Sequence, residues 1–460
     1  MILPLKKIRG IEGKIGVANG TFGFVLSAVV VKVIGALYKI PLFNLLGTEG
    51  IGLYQMVFPV YALLLTFSGG GVSTAITRLV GEGYNGENLL KKCLIIFLPI
   101  GLLFSVFLFL FANKIAFLQG NNLAGGLYKA ISPSVFLVSL IACIRGYFQG
   151  KSNFTPTALS QVLEQVVKAV SALIALLLVN GSIVLKGIIA CLAITLSEFV
   201  ALLYLLLKLK IEKGKRVKED NGFYKEITYG YALKFILPIT LSAIILPIAS
   251  FLDSFIAINS LKQNFLGSAT ALYGIYTGGV DAVVSLPVNL LHCLTLGFLP
   301  KISLNKSGMR VFFGVLFIAT LGGAGIILVA PLITKFLFSG GQYSNTLTAL
   351  LRYSSISVIL HSALHTTSLL LLSDGKQKNS LLNLALGVLF KIILSLTLIK
   401  IPKINIFGML ISDVGCYFVA LILNLVYIYN ILKRKTEGSV NENNVSGIGR
   451  RSKFTFRKSI

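Results

Sequence analysis

The sequence predicts an all-α polytopic membrane protein, with about twelve transmembrane helices in two six-helix lobes. Three observations predict it. Hydrophobic residues make up 55% of the 460-residue chain and charged residues only 13%, about half the charge of a soluble domain. Mean hydropathy is +0.86, which excludes a water-exposed globule or a disordered chain. Long apolar runs recur along the whole sequence, and each approaches the roughly 20 residues that a helix needs to cross a bilayer. The runs are continuous rather than alternating, which excludes a transmembrane β-barrel.

The expected spans are 20–43, 52–78, 92–112, 130–149, 157–180, 186–208, 229–258, 270–299, 311–336, 346–372, 381–400 and 407–431. Pro59, Pro99, Pro238, Pro247 and Pro287 fall within them, and each invites a kink. Lys6, Lys7, Arg9 and Lys14 precede the first run, which is too long for a signal peptide, so that helix is expected to stay. The five cysteines lie in or beside apolar runs without a CxxC pair, and neither disulfides nor a metal site are expected.

Net charge is +26. Loops of membrane proteins are rich in Lys and Arg on the cytoplasmic side, so no nucleic-acid partner is expected. With the N-terminus inside, 30 of the 42 basic residues are cytoplasmic, 8 lie opposite and four (Lys32, Lys39, Lys168, Lys391) sit inside spans. Both termini are therefore expected in the cytoplasm of a cell-membrane protein.

Four segments are expected: residues 1–207 as the N-terminal lobe, 208–228 as a basic cytoplasmic linker, 229–432 as the C-terminal lobe and 433–460 as a basic disordered tail. Leu46-Gly47 through Tyr54 and Leu266-Gly267 through Tyr273 open the second helix of each half. Gly150-Lys151 and Gly375-Lys376 follow the fourth. An even number of helices per half gives a parallel pseudo-two-fold repeat, compatible with rocking around a central cavity.

Ionisable residues at membrane depth usually face a wet interior. Lys32 and Lys39 are seven apart, on one face of the first helix, and suit an anionic group such as a phosphate; snorkelling to the interface is the alternative. Lys391 has no acidic neighbour in its helix and is a cavity candidate. Glu164 precedes Lys168 by four residues, the spacing of an intrahelical pair; Lys168, Arg145 and Lys391 join Lys32 and Lys39 as candidate substrate-binding residues. Arg145 ends the fourth helix, lining a cytoplasmic mouth or obeying the charge rule. Asp253, Asp281, Asp413, Glu164 and Glu198 could pair with lysines or accept a coupling Na⁺ or H⁺; no other cofactor is expected. His361 and His365 are four apart, but no third ligand is visible, so no metal is expected. No serine triad, P-loop or nucleotide fingerprint occurs, and the outer loops are short, so an enzyme is not expected.

The run Leu45-Leu46-Gly47-Thr48-Glu49-Gly50-Ile51-Gly52-Leu53-Tyr54-Gln55-Met56-Val57-Phe58-Pro59 resembles the stage V sporulation protein B group of polysaccharide-biosynthesis membrane proteins. So do Arg145-Gly146-Tyr147-Phe148-Gln149-Gly150 and Thr155-Pro156 through Gln165. That group belongs to the MATE-like flippase superfamily with the MurJ-type lipid II flippases, and the resemblance covers about residues 14–432. It implies a V-shaped pair of six-helix lobes. It also implies export of an undecaprenyl-pyrophosphate-linked sugar, for cell wall or spore cortex, with cell-wall synthases as partners. The family's two basic residues flanking a glycine in the first helix match Lys32, Gly35 and Lys39. MurJ-type flippases also carry Arg in the second and eighth helices. Here Tyr54–Thr77 and Ala271–Pro300 hold neither Arg nor Lys, which favours the sporulation or general polysaccharide branch. A cation-coupled exporter of small molecules is the alternative on the same fold, although two lysines argue against a cationic cargo.

Overall fold

A computed structural model describes residues 11–215, 227–264, 267–298, 306–337 and 343–454. Among these residues the chain is helical, without sheet. Among the described residues fourteen α-helices make the twelve crossings: one helix holds two crossings, two crossings are interrupted and one is bent.

The first helix, α1 (Ile11–Leu65), holds two crossings in one run. Only Gly47 leaves the helical region, at φ 69° and ψ 178°, a left-handed conformation that glycine adopts without a side-chain clash. The loop expected between spans 20–43 and 52–78 is thus a single residue. The second crossing continues through a π turn at Thr66–Gly70 into α2 (Val72–Gly81). Leu26–Gly81 spans 56 residues, about 84 Å at 1.5 Å per residue, enough for two passes.

The N-terminal lobe is completed by α3 (Gly86–Gln119), α4 (Gly125–Gly150), α5 (Thr155–Leu178) and α6 (Ile183–Lys215). Asn85 starts α3 by accepting from the Glu87 and Asn88 amides, each at 3.0 Å, and Gly120, at φ 103°, ends it. These cap amides and carbonyls that the helix itself leaves unpaired. Helix α6 runs to Lys215, so the first part of the expected 208–228 linker is helical; residues 216–226 lie outside the described residues.

The seventh crossing is α7 (Tyr229–Ala243) followed by α8 (Ile245–Asn264), bent at Ile244 between Pro238 and Pro247. Ring-locked prolines remove backbone hydrogen bonds, which accounts for the bend. Its first half packs on the N-terminal lobe: Ile227, Ala232 and Ile236 share a core with Ile76, Leu90 and Tyr147. The start of the second half of the chain is thus packed against the first.

The eighth crossing is α9 (Ala269–Gly274), a π turn at Ile275–Val280 and α10 (Asp281–Phe298). The second helix of each half therefore carries a π turn at a Gly-Gly pair, and glycine's weak helix propensity suits such an irregularity. Helices α11 (Lys306–Leu337), α12 (Ser344–Ser373), α13 (Gln377–Leu398) and α14 (Phe407–Phe454) complete the second lobe. Helix α14 continues through residues 433–454, where the sequence reading expected an irregular tail. No proline follows Phe407 to stop its hydrogen-bond ladder.

The lobes meet at the end where α1 turns at Gly47. A Cβ on Gly52 would lie 2.0 Å from the Thr270 carbonyl oxygen, and one on Gly274 would lie 2.5 Å from that of Thr48. The two backbones approach too closely for any larger residue. Across the same seam, Gln119 Nε2 donates to Ser254 Oγ at 2.9 Å, Asn121 Nδ2 to Thr270 Oγ1 at 2.8 Å and Asn259 Nδ2 to the Leu118 carbonyl at 3.0 Å. Side-chain amides pinned by such bonds, the fully buried Gln119 among them, fix this end of the cleft.

Candidate functional site

Deeper in the cleft, membrane-depth charges gather on each lobe. On α1, Lys32 is exposed and Lys39 half-buried. Lys32 Nζ donates across the lobes to Asn289 Oδ1 of α10 at 2.9 Å. Neither lysine makes an ion pair among the described residues. Lys39 lies within Coulombic range of Asp281 on the facing lobe and of Lys168 on its own.

The other N-terminal charges are engaged differently from what their spacing suggests. Glu164 pairs with Arg145 of α4, at 2.9 Å, rather than with Lys168 one turn along. Arg145 also donates to Ser160 Oγ at 2.9 Å. A short turn joins α4 to α5, and the guanidinium fork reaches two acceptors at once where an ammonium is a point charge. Arg145 therefore ties two helices together. Lys168 lies 5.8 Å from the Tyr38 ring centroid, within cation–π range. Glu198, only 4% exposed, accepts a hydrogen bond from Tyr61; its other carboxylate oxygen is buried without a hydrogen-bond partner.

In the C-terminal lobe, Lys391 is sandwiched between Asp253 of α8 and Asp413 of α14, the latter at 2.5 Å. Ser395 donates to Asp253 at 3.3 Å and Tyr276 to Asp413 at 2.5 Å. Lys391 was expected to offer a free charge because its own helix carries no acid. Its partners come from two other helices, a juxtaposition that only tertiary packing makes. Asp281, at the start of α10, forms no ion pair or hydrogen bond among the described residues and is exposed to the cleft.

Asp281 also borders a small polar chamber of about 90 Å³, lined by Tyr276, Asp281, Ser285, Asn289, Ser354, Ser357, His361, Asp413, Tyr417 and three valines. The chain's three histidines meet beside it. His292 stacks on His365 with centroids 3.6 Å apart and meets His361 edge-on at 5.0 Å. His292 is the third histidine that sequence spacing does not reveal. Yet among the described residues no three His, Cys, Asp or Glu side chains are arranged to hold a metal. Face-to-face stacking differs from the convergence of ring nitrogens that ligation requires.

Asn289, His292, Tyr61, Tyr276 and Ser354 were missed from sequence. A signal existed for two of them: Asp281, Ser285 and Asn289 recur every four residues on α10, and Ser354, Ser357, His361 and His365 do nearly the same on α12. That is one polar stripe per helix.

The comparisons with known proteins bear on the architecture that holds these lysines. The pattern of the polysaccharide biosynthesis protein family matches residues 17–306. The chain belongs to that family. It is 24% identical over 467 aligned residues to the lipid II flippase MurJ of Bacillus subtilis (strain 168), covering 91% of this chain and 85% of the relative. It is 29% identical over 301 residues to stage V sporulation protein B of the same organism, covering 62% and 58%. A multidrug resistance MATE family transporter of the MOP superfamily, solved in an inward-facing conformation, superposes with a TM-score of 0.67. That match has 18% identity and covers 89% of this chain and 99% of the other. The fold is therefore MATE-like, and the chain is a multi-pass membrane protein.

Proposed function

We propose that this chain is a flippase, and not an enzyme, for an undecaprenyl-pyrophosphate-linked sugar. Lys32 and Lys39 hold the pyrophosphate in the cleft while the polyprenyl tail stays in the lipid between the lobes. One observation carries the reading. These two membrane-depth ammonium groups lie on one face of α1 without an ion pair among the described residues, and one of them reaches across the cleft to Asn289. Burying such charges is costly without a counterion, and an anionic head group supplies one. Lysine recognises phosphate as a point charge, which tolerates a head group that slides and reorients.

Transport runs by alternating access: the seam at Gly52 and Gly274 opens as the opposite end closes. Both termini lie in the cytoplasm, and the glycan is delivered to the outer leaflet. The names of the relatives in Bacillus subtilis favour a peptidoglycan precursor, lipid II, used in cell wall or spore cortex. Arg145 and Lys168 serve the site indirectly, by fixing α4, α5 and α6 behind α1.

The test is complementation of a strain depleted of its lipid II flippases, with outer-leaflet lipid II as the readout. Restored surface-exposed lipid II supports the substrate. An inserted protein that restores nothing assigns the cleft to another lipid-linked glycan or a soluble compound.

A further inference from the structure

Away from the cleft, a groove lies between α12 and α14 at the seam end of the C-terminal lobe. It holds about 530 Å³, and Ile356, Phe407, Leu410 and Ile411 make most of its wall. None of its lining residues borders the polar chamber beside Asp281. Arg352 is the charged residue among those that line it. Its side chain is exposed, without an ion pair or hydrogen bond among the described residues. Tyr353 beside it is 64% exposed, with its ring edge-on to Phe407 at 6.0 Å between centroids. Helix α12 has 30 residues, about 45 Å of rise against a hydrocarbon core of about 30 Å. Arg352 stands eight residues, about 12 Å, from the seam end of that helix, within snorkelling reach of the head-group layer.

We infer that this groove binds one anionic membrane phospholipid, with its phosphate on Arg352 and one acyl chain between α12 and α14. Charge complementarity selects the anion. The stretches that join the C-terminal helices at this end, 254–280, 325–350 and 392–412, contain no Asp or Glu. Exposed Lys400 and Lys403 stand in the last of them. The Asn264 side chain ties that stretch to α8 by donating to the Lys400 carbonyl at 2.6 Å. A guanidinium beside an apolar, lipid-facing wall is costly without a counter-charge, and its fork matches two oxygens of a phosphate. Tyr353 adds a phenol, a group that suits the boundary between hydrocarbon and head groups. Size selects the chain. About 530 Å³ takes about 18 methylene-sized groups, each given the roughly 30 Å³ of a water. That is one acyl chain and too little for an undecaprenyl tail. The occupant therefore comes from the surrounding bilayer, and the site is independent of the cleft and its cargo.

The test reconstitutes the full-length chain in phosphatidylcholine nanodiscs that carry a phosphatidylglycerol probe with a photoreactive acyl chain. Digestion then locates the label. The expected result is saturable labelling of the peptides around 352–356 and 407–411. Phosphatidylglycerol displaces it about tenfold more effectively than phosphatidylcholine, a preference of about 1.4 kcal/mol. Arg352→Gln abolishes that preference, whereas Arg352→Lys keeps the charge, loses the fork and retains about a third of it. Ile411→Trp fills the groove and lowers labelling whatever the head group. Lys114→Gln, at an exposed cation near the seam end of α3, leaves labelling unchanged. Monodisperse elution and helical circular dichroism establish that the variants are folded; where one is not, lipid competition on the parent chain decides. Equal displacement by the two phospholipids, label spread evenly over the lipid-facing helices, or a folded Arg352→Gln variant labelled like the parent overturns the site. Displacement by undecaprenyl phosphate but not by phosphatidylglycerol assigns the groove to the cargo and overturns it too. None of these readouts involves Lys32 or Lys39, so failure here leaves the pyrophosphate reading of the cleft standing.

Discussion

The two lobes share an architecture and oppose each other in charge. At membrane depth the N-terminal lobe carries Lys32, Lys39, Arg145 and Lys168 against Glu164 and Glu198, a formal +2. The C-terminal lobe carries Asp253, Asp281 and Asp413 against Lys391, a formal −2. The lobes also differ in how the charges are used. The C-terminal set is mostly consumed internally, with Lys391 clasped by two aspartates. The N-terminal set consumes Arg145 and leaves two lysines of α1 facing the cleft. A repeat of one fold has thus become two walls of opposite formal charge. The lesson is that an intramembrane charge says little about function until its partners on other helices are known.

The comparison predicts a ranked set of effects. The largest is at Lys391. Lys391→Met leaves Asp253 and Asp413 buried without their counterion and lowers stability by about 3–5 kcal/mol, read as a large drop in melting temperature in detergent. The neutral combination Asp253→Asn, Lys391→Met, Asp413→Asn recovers most of it. A single variant as stable as the parent would show that the clasp is not structural.

Next is the seam. Gly52→Ala places a methyl group 2.0 Å from the Thr270 carbonyl oxygen, and overpacking of this kind costs about 1–3 kcal/mol. A cysteine cross-link between positions 119 and 254 should then form more slowly, since the seam opens to relieve the clash. Arg145→Met ranks alongside it. Arg145 meets one carboxylate where Lys391 meets two, so its loss costs about 1–3 kcal/mol, less than that of Lys391. The smallest effect is at Arg78→Ala, which removes a pair with Glu82 that is 66% and 43% exposed. Such pairs are worth about 0–1 kcal/mol, and its melting curve should nearly overlay that of the parent.

Much of the fold was legible in residue order. Apolar run length located the twelve crossings, and basic-residue asymmetry gave an even number of them. What was not legible depended on single residues or distant contacts. Gly47 alone breaks α1 because one left-handed glycine can reverse a chain without a loop composition to announce it. The packing of α7 on α2 and α3 was not legible either, because its sequence is as apolar as its neighbours. At the site, Lys32 and Lys39 could be read from a seven-residue spacing. The four-residue spacing of Glu164 and Lys168 misled, because Arg145 competes for Glu164 from another helix. Lys391 seemed free only because its acids lie 138 and 22 positions away. The chamber was half written, as polar stripes on α10 and α12 whose meeting required the fold.

The central claim is that the α1 lysines are the anion clamp of the cleft. It is tested most directly by measuring outer-leaflet delivery of the lipid-linked glycan by Lys32→Ala, Lys39→Ala in cells that insert the variant at parental levels. Each charge-assisted contact is worth about 1.5–3 kcal/mol, so the pair should lower transport by more than about 100-fold, with the melting temperature nearly unchanged. Transport at the parental rate by the folded double variant would contradict the account.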